Sequence, residues 1–286
     1  MSETFQSALS LRELRTLADG LDHPEGITVG GDGKLWAGGE AGQIYRIDPD
    51  TASCEQVAST EGFVLGLCLD SVGRIYACDM GRLAVLRILP DSGEVEVYCD
   101  QAGGKALRAP NWLVFEEDGT LWFSDSGTDD PAAADGTLVR VPPGGGDGEV
   151  VETPPLKFPN GLALALDGSL FVIETYGPCV SVLADGALKT YAEIPRTVPD
   201  GLALDSDGGL LVSCFQPNRI LRIPPGGGDP ELVLDDWTGT ILPTPTNLAF
   251  FGEHLSDLAI ASLGGWAVKA VETPWRGQPL HYPVVG

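Results

Sequence analysis

Six positions in this chain combine residue type and spacing in a way that could do chemistry. Glu25, Leu65, Asn111, Asn160, Asp200 and Asn247 each stand second in a recurring phrase, and five of the six carry a side-chain oxygen among neighbours that are Leu, Ala and Val. Two are carboxylates, and none is Cys or His. An oxygen-only set with two negative charges suits a hard divalent cation. Calcium fits best, because it takes about six to eight oxygens and accepts neutral amides beside carboxylates; Zn2+, Mn2+ or Mg2+ are the other candidates. The competing structural reading is that Asn-Gly and Asp-Gly merely shape turns. Against it, the first five phrases already own a turn glycine eight residues on (Gly33, Gly73, Gly119, Gly168, Gly208), and Asn111 and Asn247 are not followed by Gly.

Such a set works only if the elements carrying it bring the six positions together. The phrase is a small or polar opening, an apolar run, a turn ending in Gly and a second apolar run. It reads PEGITVGGDGKLWAGG from Pro24 and VLGLCLDSVGRIYACD from Val64, and returns from Pro110, Pro159, Pro199 and, more loosely, Thr246. The six second positions are spaced by 40, 46, 49, 40 and 47 residues. A period in the forties made of short β-rich runs with Asp-Gly turns marks propeller blades. The near-continuous apolar runs 162–166 and 170–173 suit strands covered on both faces by neighbouring blades.

Third strands are expected at 43–47, 83–89, 136–141 and 219–223, and fourth strands at 54–58, 94–98 and 231–234. The sixth phrase finds a third strand at 266–271 but no fourth, while 13–18 precedes the first blade where an outer strand is needed. The fold expected is therefore all-β: residues 1–286 form one six-bladed β-propeller closed by an N-terminal strand, with a short helical turn near 7–14. Inner strands of a propeller face a central channel, so the six positions would form one ring at one end of it.

Composition narrows the partners. Lys+Arg 17 against Asp+Glu 41 gives a net charge of −24, which repels phosphate backbones and anionic lipid. The expected partner is a small molecule, with neither nucleic acid nor membrane. No apolar run approaches the roughly 18 residues of a membrane helix, and the first residues lack a secretory pattern; a cytoplasmic location is expected. The six cysteines show no CxxC, which reads as reduced thiols, several buried on strands. The runs PPGGGDGE and PPGGGDPE are turns rather than phosphate loops, since no helix with Lys-Ser/Thr follows. A Gly-x-Ser-x-Gly elbow and a Rossmann pattern are also lacking.

Pro-Glu-Gly at 24, Pro-Asn-Gly-Leu-Ala at 159 and Pro-Asp-Gly-Leu-Ala at 199, in this order and spacing, resemble the gluconolactonase / senescence-marker-protein (regucalcin) family over nearly the whole chain. The resemblance implies a divalent ion in the channel held by Glu25, Asn160 and Asp200. A further Asn at the place of Asn111 would bind metal or substrate. Family lactonases carry Arg-x-Asn-Asp at the third blade, where this chain has Arg108-Ala-Pro-Asn111-Trp112, a departure that points away from an aldonolactone towards a flatter or more apolar substrate. The function expected is metal-assisted hydrolysis of a cyclic ester, with Asp200 as base and with Arg108, Asn111, Trp112 and Asn247 touching substrate. The alternatives are phosphotriester or aryl-ester hydrolysis on the same ring, a non-catalytic interaction propeller, and a strictosidine-synthase-like condensation, against which the intact oxygen ring argues. Asp125, Glu174, Tyr176 and His23 read as structural groups near the rim.

Overall fold

A computed structural model describes residues 7–285. Its strands form six four-stranded antiparallel sheets, plus a small hairpin of Gln101–Ala102 with Lys105–Ala106. Five of the sheets order their strands as the chain does, and each inner strand packs against the inner strand of the next blade. The protein is a six-bladed β-propeller. No helix among the described residues is long and apolar enough to cross a membrane.

The inner strands Val64–Leu69, Pro110–Phe115, Pro159–Leu164 and Pro245–Phe251 are almost wholly buried, as are their partners Ile75–Asp79, Leu121–Asp125 and Leu170–Glu174. Burial on both faces is why these segments read as unbroken Leu/Val/Ile runs rather than alternating ones. Outer strands such as Ser53–Ser59 are mostly exposed, with only Ala58 buried, and read accordingly. Between blades three and four, Trp112 and Trp122 pack with Leu162, Leu170 and Val172.

The ring closes as the sequence implies. Arg15–Asp19 pairs antiparallel with Ala267–Glu272, so the sixth sheet contains both early and late chain. Leu17 and Ala18 are buried in it, and the joint removes a sheet edge that would otherwise invite pairing. The helical turn is Leu11–Glu13, opened by a capping box in which Arg12 N–H donates to the Ser10 hydroxyl and Ser10 N–H to the Glu13 carboxylate. Blade four is completed by Cys179–Ala184 and Ala187–Glu193, whereas the outer strand of blade three is only Glu149–Val150.

Before that short strand the chain runs through Gly144, Gly145 and Gly146, all at positive φ, as are Gly226, Gly227 and Gly228 in the matching turn of blade five. Three consecutive left-handed residues are open only to glycine, which explains the PPGGGD runs. All six cysteines are free thiols, and Cys68 faces Tyr76, not Cys78, across its hairpin.

The last residues cross the end of the channel opposite the ring. Gln278 N–H donates to Leu204 O and its amide to Leu164 O; Tyr282 Oη donates to Val29 O; and Ser71 N–H donates to Pro283 O. Gly277 N–H meets Leu255 O. This strap ties blades one, two, four, five and six together and floors a cavity of about 680 Å³ walled by the lower inner strands.

Candidate metal centre and active site

A shared backbone irregularity aims the six positions. In five inner strands the pairing register slips by one residue just after the strand begins: between Val64 and Leu67, Pro110 and Leu113, Pro159 and Leu162, Pro199 and Leu202, and Pro245 and Leu248. In blade one Glu25 and Gly26 likewise share Gly38 as partner, through Glu25 N–H to Gly38 O at 3.2 Å and Gly38 N–H to Gly26 O at 3.3 Å. Each slip is a β-bulge, which sets two residues against one and re-aims a side chain. The first bulge residue is Glu25, Leu65, Asn111, Asn160, Asp200 or Thr246.

The glycine after most of these residues serves close approach, not a turn. A Cβ on Gly161 would stand 2.8 Å from Asp200 O, and one on Gly66 2.7 Å from Asn111 O; neither glycine has positive φ. Glycine therefore lets each bulge press against the bulge of the next blade, drawing the ring tight. Second-strand hydroxyls lock it. Ser124 Oγ accepts from Trp112 N–H at 3.1 Å and donates to Asn160 O at 2.7 Å. Ser213 does the same between Gly201 N–H and Thr246 O. Ser126 and Thr175 donate to Pro159 O at 2.7 Å and Pro199 O at 2.8 Å. Motif reasoning passed over these hydroxyls, which tie neighbouring bulges together; the signal was a polar Ser or Thr inside an otherwise apolar strand.

The polar atoms of the ring are arranged with one end held and one end free. Asn111 Nδ2 donates to Ser126 Oγ at 3.0 Å and Asn160 Nδ2 to Thr175 Oγ1 at 3.3 Å, while Asn247 Nδ2 reaches Glu25 O at 3.3 Å and Glu25 Oε2 at 3.4 Å. In contrast, Oδ1 of Asn111, Asn160, Asp200 and Asn247 is buried with no hydrogen-bond partner. A buried acceptor left unpaired costs about 1–3 kcal/mol. Three of these atoms, on Asn111, Asn160 and Asp200, stand at equivalent bulge positions and are oxygens that could hold a cation.

Electrostatics agree. Glu25 and Asp200 are 4% and 8% exposed. Burial pushes the Asp200 carboxyl up to about 8, partly offset by a hydrogen bond from Asn160. Burial, and then the nearby charge of Asp200, raise Glu25 well above the carboxylate range. Among the described residues no cationic side chain offsets either one. Two acids forced together without a counter-charge gain most from a divalent ion, which also fits the oxygen-only donor set.

Glu25, Asn160, Asp200 and Asn247 are thus brought together, with Asn111 one blade on. Asn247 is shifted: Pro245 aligns with Pro110, Pro159 and Pro199, so Thr246 holds the ring place and Asn247 the glycine place. Trp112 also holds a glycine place, and its indole is buried between blades three and four rather than standing at the mouth. Arg108 is exposed at the rim, paired to Asp135 Oδ2 at 2.5 Å. Asp125 holds the loop before Asn111 by accepting from Arg108 N–H and Ala109 N–H, both at 2.9 Å, as Asp79 does for Phe63 N–H at 3.0 Å and Glu174 for Lys157 N–H at 3.1 Å. Asp22, His23 and Glu40 cluster on the rim, but the Asp22 carboxylate is already engaged by Gln43 Nε2 and Ala41 N–H.

Comparison with known proteins agrees with the fold. The family model described as SMP-30/Gluconolactonase/LRE-like region matches residues 23–264. Diisopropyl-fluorophosphatase of Loligo vulgaris is 28% identical over 68% of this chain and 70% of its own. Protein STRICTOSIDINE SYNTHASE-LIKE 1 of Arabidopsis thaliana is 32% identical over 56% of this chain, which spans only 45% of that relative. The solved structure of a gluconolactonase from Xanthomonas campestris superposes with a TM-score of 0.76 at 25% identity, covering 91% of this chain and 89% of the other. The chain belongs to the SMP-30/gluconolactonase/LRE-like family.

Proposed function

We propose that this member of the SMP-30/gluconolactonase/LRE-like family is a calcium-dependent hydrolase of a small cyclic ester. The observation that carries the reading is the set of buried, unpartnered Oδ1 atoms on Asn111, Asn160 and Asp200 beside the raised Glu25–Asp200 pair. Glu25, Asn160 and Asp200 would hold the ion, with Asn111 completing the set or touching substrate. When bound, such an ion supplies Lewis-acid polarisation of the ester carbonyl and charge stabilisation as the bond is attacked.

The chain's own groups do the rest. Asp200 is the carboxylate placed to accept a proton from the attacking water. Ser126 and Thr175 hold the amide nitrogens of Asn111 and Asn160 so that their oxygens stay aimed inwards. Asn247 steadies Glu25 through its amide. Arg108 is committed to Asp135 and borders the entrance.

The likeness to a diisopropyl-fluorophosphatase favours one second reading, phosphotriester hydrolysis on the same ring. A panel of lactones against paraoxon-type esters separates the two. Calorimetry on chelated protein should find one tight calcium site, and Asp200→Asn should remove both site and turnover. Full lactone hydrolysis by metal-free protein, or no cation binding at all, overturns the scheme.

A further inference from the structure

Two residues before each first bulge residue, where the chain enters the inner strand, stands a second set of positions. In chain order it is His23, Phe63, Ala109, Phe158, Val198 and Thr244. Blades two to five contribute four consecutive apolar members, and Phe63, Phe158 and Val198 are each only half-buried. In blade two the ring member beneath is Leu65, the one ring position without an oxygen.

The two faces of the mouth therefore differ: blades one and five bring the carboxylates, and blades two to four bring an apolar sector. That sector is held in place. Phe63 O, Ala109 O and Phe158 O accept from Met80 N–H at 2.9 Å, Ser126 N–H at 2.8 Å and Thr175 N–H at 3.1 Å. Phe63 N–H and Ala109 N–H are gripped by Asp79 and Asp125. Phe158 packs against Tyr176 with centroids 4.9 Å apart and ring planes tilted by 46°. The charged rim groups beside these positions are engaged elsewhere, His23 with Asp22 and Glu40 at 3.1 Å and Arg108 with Asp135. A polyhydroxylated ring placed here would bury its hydroxyls against Phe and Leu without partners, which is costly.

We infer that Phe63, Leu65 and Phe158 form a recognition collar for an alkyl or aryl substituent, so that the substrate is an apolar-substituted lactone rather than a sugar lactone. The inference rests on the hydrolase reading for its reaction, but not for the ligand it selects. The test compares γ-butyrolactone, γ-octalactone and glucono-δ-lactone on the calcium-loaded native protein and on a Phe63→Ser/Phe158→Ser variant. Native kcat/KM should rise by about fourfold for each methylene that reaches the collar, with the sugar lactone poorest, and the rise should flatten in the variant.

A flat series with glucono-δ-lactone fastest overturns the collar and leaves the hydrolase standing. A rise that survives in the variant also overturns the assignment to these residues. If nothing is turned over, the hydrolase reading falls, and calorimetry with octanoate against gluconate judges the collar alone. Octanoate binding no tighter than gluconate refutes it.

Discussion

Two pairs of buried carboxylates sit at opposite ends of the channel, and they could hardly be treated more differently. At the strap end, Asp70 accepts from Val72 N–H, Arg74 N–H, Arg74 Nε at 2.6 Å and Tyr76 Oη. Asp205 accepts from Asp207 N–H, Gly209 N–H and both Nε and Nη2 of Arg222. At the ring end, Glu25 and Asp200 lie near one another, and neither has a cationic partner among the described residues. Burial alone is common to both pairs. What distinguishes a site from a support is the missing counter-charge, since an unpaired buried acid costs free energy that a bound cation can return.

The largest effect expected from breaking this contrast is at the ring. Glu25→Gln or Asp200→Asn should lower kcat/KM by about a thousandfold or more and remove calcium binding in calorimetry, yet leave the melting point of chelated protein level or higher. A lowered melting point would mean that the pair is structural after all. At the other end the sign reverses. Asp205→Asn strands the Arg222 guanidinium, for which exposed Glu231 at 3.7 Å is a poor substitute, and should cost about 3–5 kcal/mol in denaturant unfolding while the calcium affinity of folded protein holds.

Acidity sharpens the comparison further. Because Asp200 is raised from 3.8 to about 8, the folded metal-free chain holds a proton that the unfolded chain has released across that window. Its stability should therefore be greatest towards acid and fall as pH climbs to 8, by on the order of a few kcal/mol. Calcium must displace the same proton, so its affinity should rise over the same range. Melting points with and without chelator, measured from pH 5 to 8, would show the two curves diverging; parallel curves would reject the linkage. The smallest effect is expected one residue further out. Ser126→Ala frees the Asn111 amide and should weaken calcium about tenfold, read by titration, with unfolding shifted by only about 1 kcal/mol.

Much of this was legible in the residues. The repeats gave six blades because every blade must solve the same packing problem with the same apolar runs, and the split sixth blade followed from a missing fourth strand. Glu25, Asn160 and Asp200 were visible because each is an oxygen between a Pro and a Gly. Blade six shows where chemistry misled: Asn247 was matched by residue type, whereas Pro245 was the better anchor, since proline precedes the ring residue in four other blades. Trp112 was misplaced because a bulge cannot be seen in a residue string, and the bulge decides which side chain faces inwards. The strap carries no periodicity at all, so nothing in its sequence announced that it would cross five blades.

Closure by the two chain ends has a consequence for how the centre comes into being. Glu25 stands in blade one and Asp200 in blade five, and they meet across blade six, the sheet that the seam between Arg15–Asp19 and Ala267–Glu272 completes. On the proposed reading, the ion is gripped only once that seam is closed. Any lesion that opens the seam at Arg15–Asp19 would be felt as a loss of ion grip far from the break.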